Sequence, residues 1–329
     1  MDTTQSSPAP ARVVAVPPEP PDPPDAPVHA EAPARHRPYL LDLFALLRPH
    51  QWVKNLAVVP LALLDARPWS GAALLRTGWA VVGFTLASAL VYVVNDLADR
   101  ERDRLHPVKR RRPIASGRVS VAAAAALAGG LALSLFGWAL VGPAWRWWPA
   151  GVYLVISFAY ARGLKHVPLV DAFIVATGFV LRLAQGALAL DSEVSAWLAL
   201  CVFCLCLMLS LGKRRHELGA AGLAHRPALR GYTRAFLDHL VVLVAVLTAM
   251  SYVCYLRDDA TFASKAPLVI LLSAPCAVFG LARYLQVLLV EDGGAEPVRV
   301  LLRDRATVVN ALVWGALVAV ALFLSHHPL

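Results

Sequence analysis

The sequence predicts an all-α, polytopic membrane protein, on three observations. Of its 329 residues, 58% are hydrophobic and 16% charged, with a mean hydropathy of +0.58; a soluble domain is nearer half apolar and a quarter charged. Apolar runs of the kind that form membrane-crossing helices recur along nearly the whole chain. The cations fall between those runs, concentrated on alternate connectors. This composition excludes a water-soluble enzyme, a disordered scaffold and a disulfide-stapled secreted module. The expected surroundings are a lipid bilayer, with no nucleic acid as partner and homo-oligomerisation left open.

Residues 1–38 hold 11 of the 24 prolines and no long apolar run. They read as a disordered Pro-rich tail without the core of a signal peptide. The membrane domain is expected over 39–329. Residues 39–50, YLLDLFALLRPH, read as a short amphipathic helix lying in the interface. Nine spans follow, at about 54–66, 75–94, 119–141, 147–160, 167–189, 195–212, 237–256, 267–290 and 306–325. The first and fourth are short for a crossing of about 20 residues.

With the N-terminus cytoplasmic, the connectors 95–118, 161–166, 213–236 and 291–305 face the cytoplasm. They carry 19 Lys and Arg against 5 on the opposite segments, nearly four to one, which satisfies the positive-inside rule. The C-terminus is then expected outside, and the chain in the cell membrane. Net charge is +9, and only five of the 31 cations are lysines. That arginine bias makes each lysine informative. All five cysteines lie in apolar runs, and Cys201-x-x-Cys204 has no second pair and no nearby His, so it reads as small apolar filler.

The chemistry concentrates on the cytoplasmic connectors. The end of the second span and the loop after it read VYVVNDLADRERDRLHPVKRRRPIASG. If the helix continues past the membrane, Asn95, Asp99 and Asp103 stand at i, i+4 and i+8 with Asp96 beside them, so one face carries three carboxylates and an amide. Like charges on one face repel. A hard divalent cation with oxygen ligands would hold them together, and Mg²⁺ typically arrives with a phosphate. The interleaved Arg100, Arg102 and Arg104 leave a solvated charged loop as the alternative. The run Lys109, Arg110, Arg111, Arg112 suits polyanion capture, or serves topology and contact with anionic lipid.

The next connector carries Tyr160 and Lys165 ahead of Asp171. An ionisable residue at a span end facing a cavity is a functional candidate, with a structural Lys165–Asp171 pair as the alternative. Arg182 lies three turns further along the same face and needs an anion, which Asp171 or a substrate phosphate would supply. Lys213 and Arg214, after the sixth span, form a further candidate phosphate clamp. At the first span, Trp52 is placed as an interfacial anchor, and Lys54, beside Asn55, stands at a depth from which it reaches a phosphate. Arg230-Gly-Tyr232-Thr233-Arg234 and Arg303-Asp304-Arg305 say little alone.

The pattern N-D-x-x-D-x-x-x-D followed by R-P-I-A-S-G resembles the UbiA superfamily of intramembrane prenyltransferases, over residues of about 45–325. That resemblance implies nine helices around a central cavity and two Asp-rich motifs on cytosolic loops that bind Mg²⁺-diphosphate. Aromatic prenyltransferases of the family carry a second motif D-x-x-x-D; here Asp171 is followed four residues later by Val175, and the second acid is missing. Instead Y-x-x-x-L-K-x-x-x-x-x-D, the run from Arg48 to Asn55, H-P-x-K-R-x-R-P-I-A and G-K-R-x-x-E are similar to the branch typified by decaprenyl-phosphate phosphoribosyltransferase. Four of the five lysines fall in these motifs.

That branch joins a polyprenyl phosphate to 5-phosphoribosyl 1-pyrophosphate, on the route to the arabinose donor of actinobacterial cell walls. The resemblance implies Mg²⁺ on Asn95, Asp96, Asp99 and Asp103, with Asp171 positioning the ribose or a second metal. Asp96, Asp99, Asp103 and Asp171 are then the catalytic acids. Lys54, Asn55, Lys109, Arg110, Arg112, Tyr160, Lys165, Arg182, Lys213 and Arg214 are the substrate-binding set. The alternatives are transfer of a prenyl group from its diphosphate to an aromatic or other acceptor, and a lipid-phosphate transporter. Crowding of the acids at one membrane face argues against the transporter.

Overall fold

The computed structural model describes residues 38–59, 70–106, 108–142, 144–220, 227–259, 266–291 and 304–326. The Pro-rich tail, residues 60–66 of the first expected span, the connector cations Arg226, Arg299 and Arg303, and the last three residues lie outside them. Every regular element among the described residues is helical. Seven helices are long and apolar enough to cross a membrane. They are α2 Gly71–Ala98, α4 Val121–Val141, α6 Val170–Ala189, α7 Ala196–Ala220, α8 Arg234–Cys254, α9 Ala266–Leu289 and α10 Arg305–His326. Two shorter helices precede connectors: α3 Arg100–Arg104 and α5 Trp148–Arg162.

The nine expected spans therefore resolve into seven full-length helices and two exceptions. The fourth is α5, 15 residues long, about 22 Å at 1.5 Å per residue and shorter than the hydrocarbon core. The first is a 3₁₀ segment, Pro49–Val58, as far as it is described. Helix α1, Tyr39–Leu46, ends earlier than the 39–50 expected for it. Proline at 49 excludes the ordinary helical conformation from the residue before it, and Arg48 takes φ 51°, ψ 61°. That left-handed conformation costs a non-glycine residue about 1–2 kcal/mol. The bend is fastened by the Trp52 indole N–H on the Leu47 carbonyl (3.0 Å) and by Phe44 edge-on to Trp52.

Ser70 and Ser120 cap α2 and α4, each hydroxyl accepting the N–H three residues on at 3.1 Å. The two helices lock through Trp138, stacked 4.3 Å from Trp79, whose carbonyl its indole N–H meets. Leu46 of α1 packs with Val93, Ile114, Val119 and Ala124, so α1 sits over the loop after α2. Asp42, also buried, accepts from Arg118 at 3.0 Å and ties α1 to that loop.

Helix α6 packs against α2, α5, α7 and the 3₁₀ segment. Its buried Ala172, Ala176, Gly178, Ala184, Gly186 and Ala187 allow that close approach. At Gly186 an added Cβ would stand 2.2 Å from the Val58 carbonyl oxygen. Backbone cannot swing aside as a side chain does, so Gly186→Ala is expected to push the 3₁₀ segment off α6. Overpacking of this kind costs about 1–3 kcal/mol, read as a lowered unfolding temperature in detergent. Helix α10 is the opposite case. Leu312, Val313, Val320 and Phe323 are exposed, as expected of a span that faces lipid.

Helix polarity gathers the connectors at two ends. Asp96 near the end of α2, Asp171 near the start of α6 and Arg214 near the end of α7 share one end with the loops around them. At the other end Asp191, after α6, accepts from Arg76 of α2 (2.7 Å) and from Arg146 before α5.

Candidate active site

The expected continuous helix past Ala98 is interrupted at Asp99, which links α2 to α3. The i to i−4 hydrogen bonds nevertheless carry through: Asp99 N–H meets the Asn95 carbonyl at 2.9 Å and Asp103 N–H meets the Asp99 carbonyl at 2.8 Å. Asn95, Asp99 and Asp103 therefore rise in one column, with Asp96 alongside. Asp96 and Asp103 are 4% and 3% exposed.

Cations separate these acids. Asp96 Oδ1 accepts from Arg48 (2.6 Å) and Arg112 (3.0 Å), and Arg112 also donates to Asp103 Oδ2 at 2.6 Å. Both oxygens of Asp99 accept from the Lys165 ammonium, at 3.0 and 3.1 Å. Arg48, from before the first span, thus meets Arg112 of the next loop and Lys165 of the α5–α6 connector over one acidic column. Among the described residues no three His, Cys, Asp or Glu side chains gather closely enough to chelate a metal. The donor chemistry does suit a hard cation. Among the described residues Asn95 Oδ1 is buried with no hydrogen-bond partner, and it shares its column with Asp99 and Asp103.

Lys109 is exposed and opens a short 3₁₀ turn, Lys109–Arg111; its backbone N–H and that of Val108 before it are accepted by His106 Nδ1. Desolvation by the protein packed about its stem holds its pKa below the usual lysine range although its surface is exposed, against the pull of Asp103 and Asp99. Arg110 is exposed and makes no side-chain contact with the acids among the described residues. The interleaved arginines turn outward: Arg104 takes Glu101 at 2.9 Å, and Arg102 stands 3.7 Å from Asp99.

Asp171 is fully buried, and its partners are neither Lys165 nor Arg182. Its Oδ2 accepts from Arg214 Nε at 2.7 Å and its Oδ1 from the Tyr232 hydroxyl at 3.1 Å. Arg214 reaches Glu217 with its other arm, and Tyr160 lies within its electrostatic reach. Burial pushes the Tyr232 phenol up to about 12, so it stays protonated and donates to Asp171. The same oxygen accepts the N–H of Leu169, which holds φ 64° just before α6. Next to it Gly231 lies flush against Pro168, where a Cβ would come within 2.3 Å of the ring. Tyr232 and Gly231 therefore brace the connector that carries Lys165. Tyr232→Phe leaves the Leu169 N–H without its acceptor and Asp171 Oδ1 without its donor, an expected cost of about 1–3 kcal/mol. Thermal unfolding in detergent reads it.

Arg182 is buried, and its hydrogen bonds go to Asn55 Oδ1 (2.9 Å), the Gly178 carbonyl (2.7 Å) and Ser88 Oγ (3.3 Å). Lys54, beside Asn55, is accessible, and Lys213, also accessible, stands in its field. Arg283, the other cation inside an apolar run, is held by Asp304 at 2.9 Å and Glu291 at 2.8 Å.

Residues 56–295 match the UbiA prenyltransferase family. The chain belongs to that family. It is a UbiA-family enzyme, a transferase embedded in the membrane. Among curated relatives, decaprenyl-phosphate phosphoribosyltransferase of Corynebacterium glutamicum is 32% identical over 286 residues, which span 84% of this chain and 86% of that one. The protein of the same name from Mycolicibacterium smegmatis is 34% identical over 310 residues, spanning 86% and 93%. The structure of a UbiA homolog from Archaeoglobus fulgidus bound to GPP and Mg²⁺ has the same fold. It matches with a TM-score of 0.62 at 16% identity, covering 87% of this chain and 99% of its own.

Two residues of this UbiA site carried no role in the sequence reading. Arg48 stood in a quoted motif, yet a cation at a membrane interface is ordinary by the positive-inside rule. Its left-handed backbone and its 4.9 Å approach to the Tyr92 ring are tertiary facts. Tyr232 lies 61 positions from Asp171, and no local spacing signals that meeting.

Proposed function

We propose that this UbiA-family enzyme transfers the 5-phosphoribosyl group of 5-phosphoribosyl 1-pyrophosphate to a polyprenyl phosphate and releases pyrophosphate. The observation that carries the reading is similarity to decaprenyl-phosphate phosphoribosyltransferases over 84–86% of the chain. The cation-rich mouth supports it, because this reaction must hold a pyrophosphate, a 5-phosphate and a lipid phosphate together. The fate of Asp171 supports it too. Position 175 is valine, and Asp171 is committed to Arg214 and Tyr232, so a second diphosphate-binding acid pair is missing.

Asn95, Asp96, Asp99 and Asp103 would hold Mg²⁺, which when bound neutralises charge on the pyrophosphate leaving group. Arg48, Arg112 and Lys165 lie ready to exchange carboxylate oxygens for phosphate oxygens as the donor arrives, which aims them at the charge that develops on departure. At C1 of the ribose the bond to pyrophosphate breaks with its electron pair, through an oxocarbenium-like state, and a phosphate oxygen of the lipid forms the new bond. That oxygen is already anionic near neutral pH, so no proton is moved and no general base is needed. Attack opposite the leaving group gives a β-linked product. Catalysis is then positioning plus electrostatics. The cation bias of its connectors supports a site that faces the cytoplasm, and the product would feed the lipid-linked arabinose donor of the cell wall.

A side-by-side assay tests the proposal. The purified protein receives either 5-phosphoribosyl 1-pyrophosphate with a polyprenyl phosphate, or a prenyl diphosphate with an aromatic acceptor. Turnover of the first pair alone, abolished by chelation and restored by Mg²⁺, is expected. Turnover of the second pair alone would place the protein with the aromatic prenyltransferases of the family.

A further inference from the structure

Deeper along α2 than the acidic column lies a second polar group, built of cations without an acid. Ser88 precedes Asp96 by eight residues, about 12 Å along the helix. It accepts from Arg182 Nη2 at 3.3 Å, while Asn55 Oδ1 accepts from Arg182 Nε at 2.9 Å and Asn55 Nδ2 donates to Thr85 Oγ1 at 3.2 Å. The rings of Tyr153, Phe84 and Phe179 stand 4.8, 5.2 and 5.4 Å from the guanidinium carbon. Arg182 is 4% exposed and, among the described residues, pairs with no carboxylate. Its neutral acceptors and aromatic walls fix its direction but leave its charge uncompensated.

Lys54 stands beside this group. Its side chain is accessible, and it has no hydrogen-bond or ion-pair partner among the described residues. Arg48, Arg182 and Lys213 act on it electrostatically, and among the described residues no carboxylate pairs with it. The acidic column differs in kind, since Arg48, Arg112 and Lys165 each already hold a carboxylate there. A pyrophosphate that comes with a divalent cation tolerates those acids. A bare phosphate monoester is repelled by them and is drawn to cations that have no acid nearby.

We propose that Lys54 and Arg182 form the subsite for the phosphate monoester of the acceptor lipid, with Asn55 and Ser88 acting as positioning residues through the guanidinium. This rests on the transfer reaction proposed above. In that reaction the attacking oxygen stands across C1 from the pyrophosphate, and its apolar tail enters from the bilayer. Both requirements put the acceptor on the deeper side of the acidic column, where these residues lie. The donor's 5-phosphate has the same chemistry and is the competing occupant.

Binding, not turnover, separates the two. Farnesyl phosphate, farnesol and ribose 5-phosphate are titrated without donor or Mg²⁺ into the wild-type protein in detergent and into Lys54→Met. Lys54 makes no contact whose loss would unfold the chain, and thermal unfolding checks this. Wild type is expected to prefer farnesyl phosphate to farnesol. Lys54→Met should weaken farnesyl phosphate binding by about tenfold or more, leave ribose 5-phosphate unchanged, and be largely rescued by Lys54→Arg. Farnesyl phosphate binding that matches farnesol, or that Lys54→Met leaves intact, overturns the proposal, as does a loss confined to ribose 5-phosphate. Because no donor takes part, a charge-dependent lipid site would stand even if the phosphoribosyl transfer itself failed.

Discussion

Asp99→Asn is expected to lower turnover by about 10²–10³-fold and to leave the unfolding temperature almost unchanged. Both Asp99 oxygens accept from Lys165, and its side chain is 29% exposed. An amide keeps the volume but replaces one anionic acceptor with a donor. Lys165 then loses the partner that aims it, and the column loses a third of its carboxylate charge. The stability cost is small because a partly exposed pair contributes about 0–1 kcal/mol. Steady-state kinetics with a melting curve on the same sample make the check. Full activity in the variant would remove Asp99 from the metal and leaving-group assignment.

Asp171→Ala is expected to act oppositely, on the fold before the chemistry. The carboxylate is fully buried between Arg214 and Tyr232. Removing it strands a buried guanidinium that, among the described residues, keeps only Glu217, at 2.7 Å, and leaves the Tyr232 hydroxyl without its carboxylate acceptor. Breaking a buried pair in this way costs about 3–5 kcal/mol. Asp171→Asn, which keeps the shape and one acceptor oxygen, should fall between. Chemical or thermal unfolding in detergent reads both. If the alanine variant melted like the parent but demanded more Mg²⁺, Asp171 would be a metal ligand after all, as its place in the family's second motif first implied.

What the sequence disclosed follows from the range of each interaction. Spans are local: apolar runs of 20 residues or so announce themselves, and α2, α4 and α6 to α10 lie where hydropathy puts them. The first and fourth runs are short for a crossing, and they are the places where the structure departs, as a 3₁₀ segment and as α5. The acidic column was legible because i, i+4 spacing is also local. Its interruption at Asp99 was not, and it leaves the column standing because the i−4 hydrogen bonds persist.

Pairing was the hidden layer. Position along one helix face put Arg182 with Asp171, and loop proximity put Lys165 there. The fold instead gives Asp171 to Arg214 from α7, Lys165 to Asp99 from α2, and Arg182 to Asn55 and Ser88. Each real partner lies 43 to 127 residues away, a separation that only packing closes. The same reason hid Arg48, which reaches Asp96 across 48 residues from a strained bend.

The central claim is that the acidic column and its cations move a phosphoribosyl group onto a lipid phosphate. The most direct test incubates purified protein and Mg²⁺ with a polyprenyl phosphate and 5-phosphoribosyl 1-pyrophosphate labelled in the ribose, then partitions the products. The account predicts label in the organic phase, matched by pyrophosphate release and absent with Asp99→Asn. Label confined to the aqueous phase, with activity on a prenyl diphosphate and an aromatic acceptor, would contradict it.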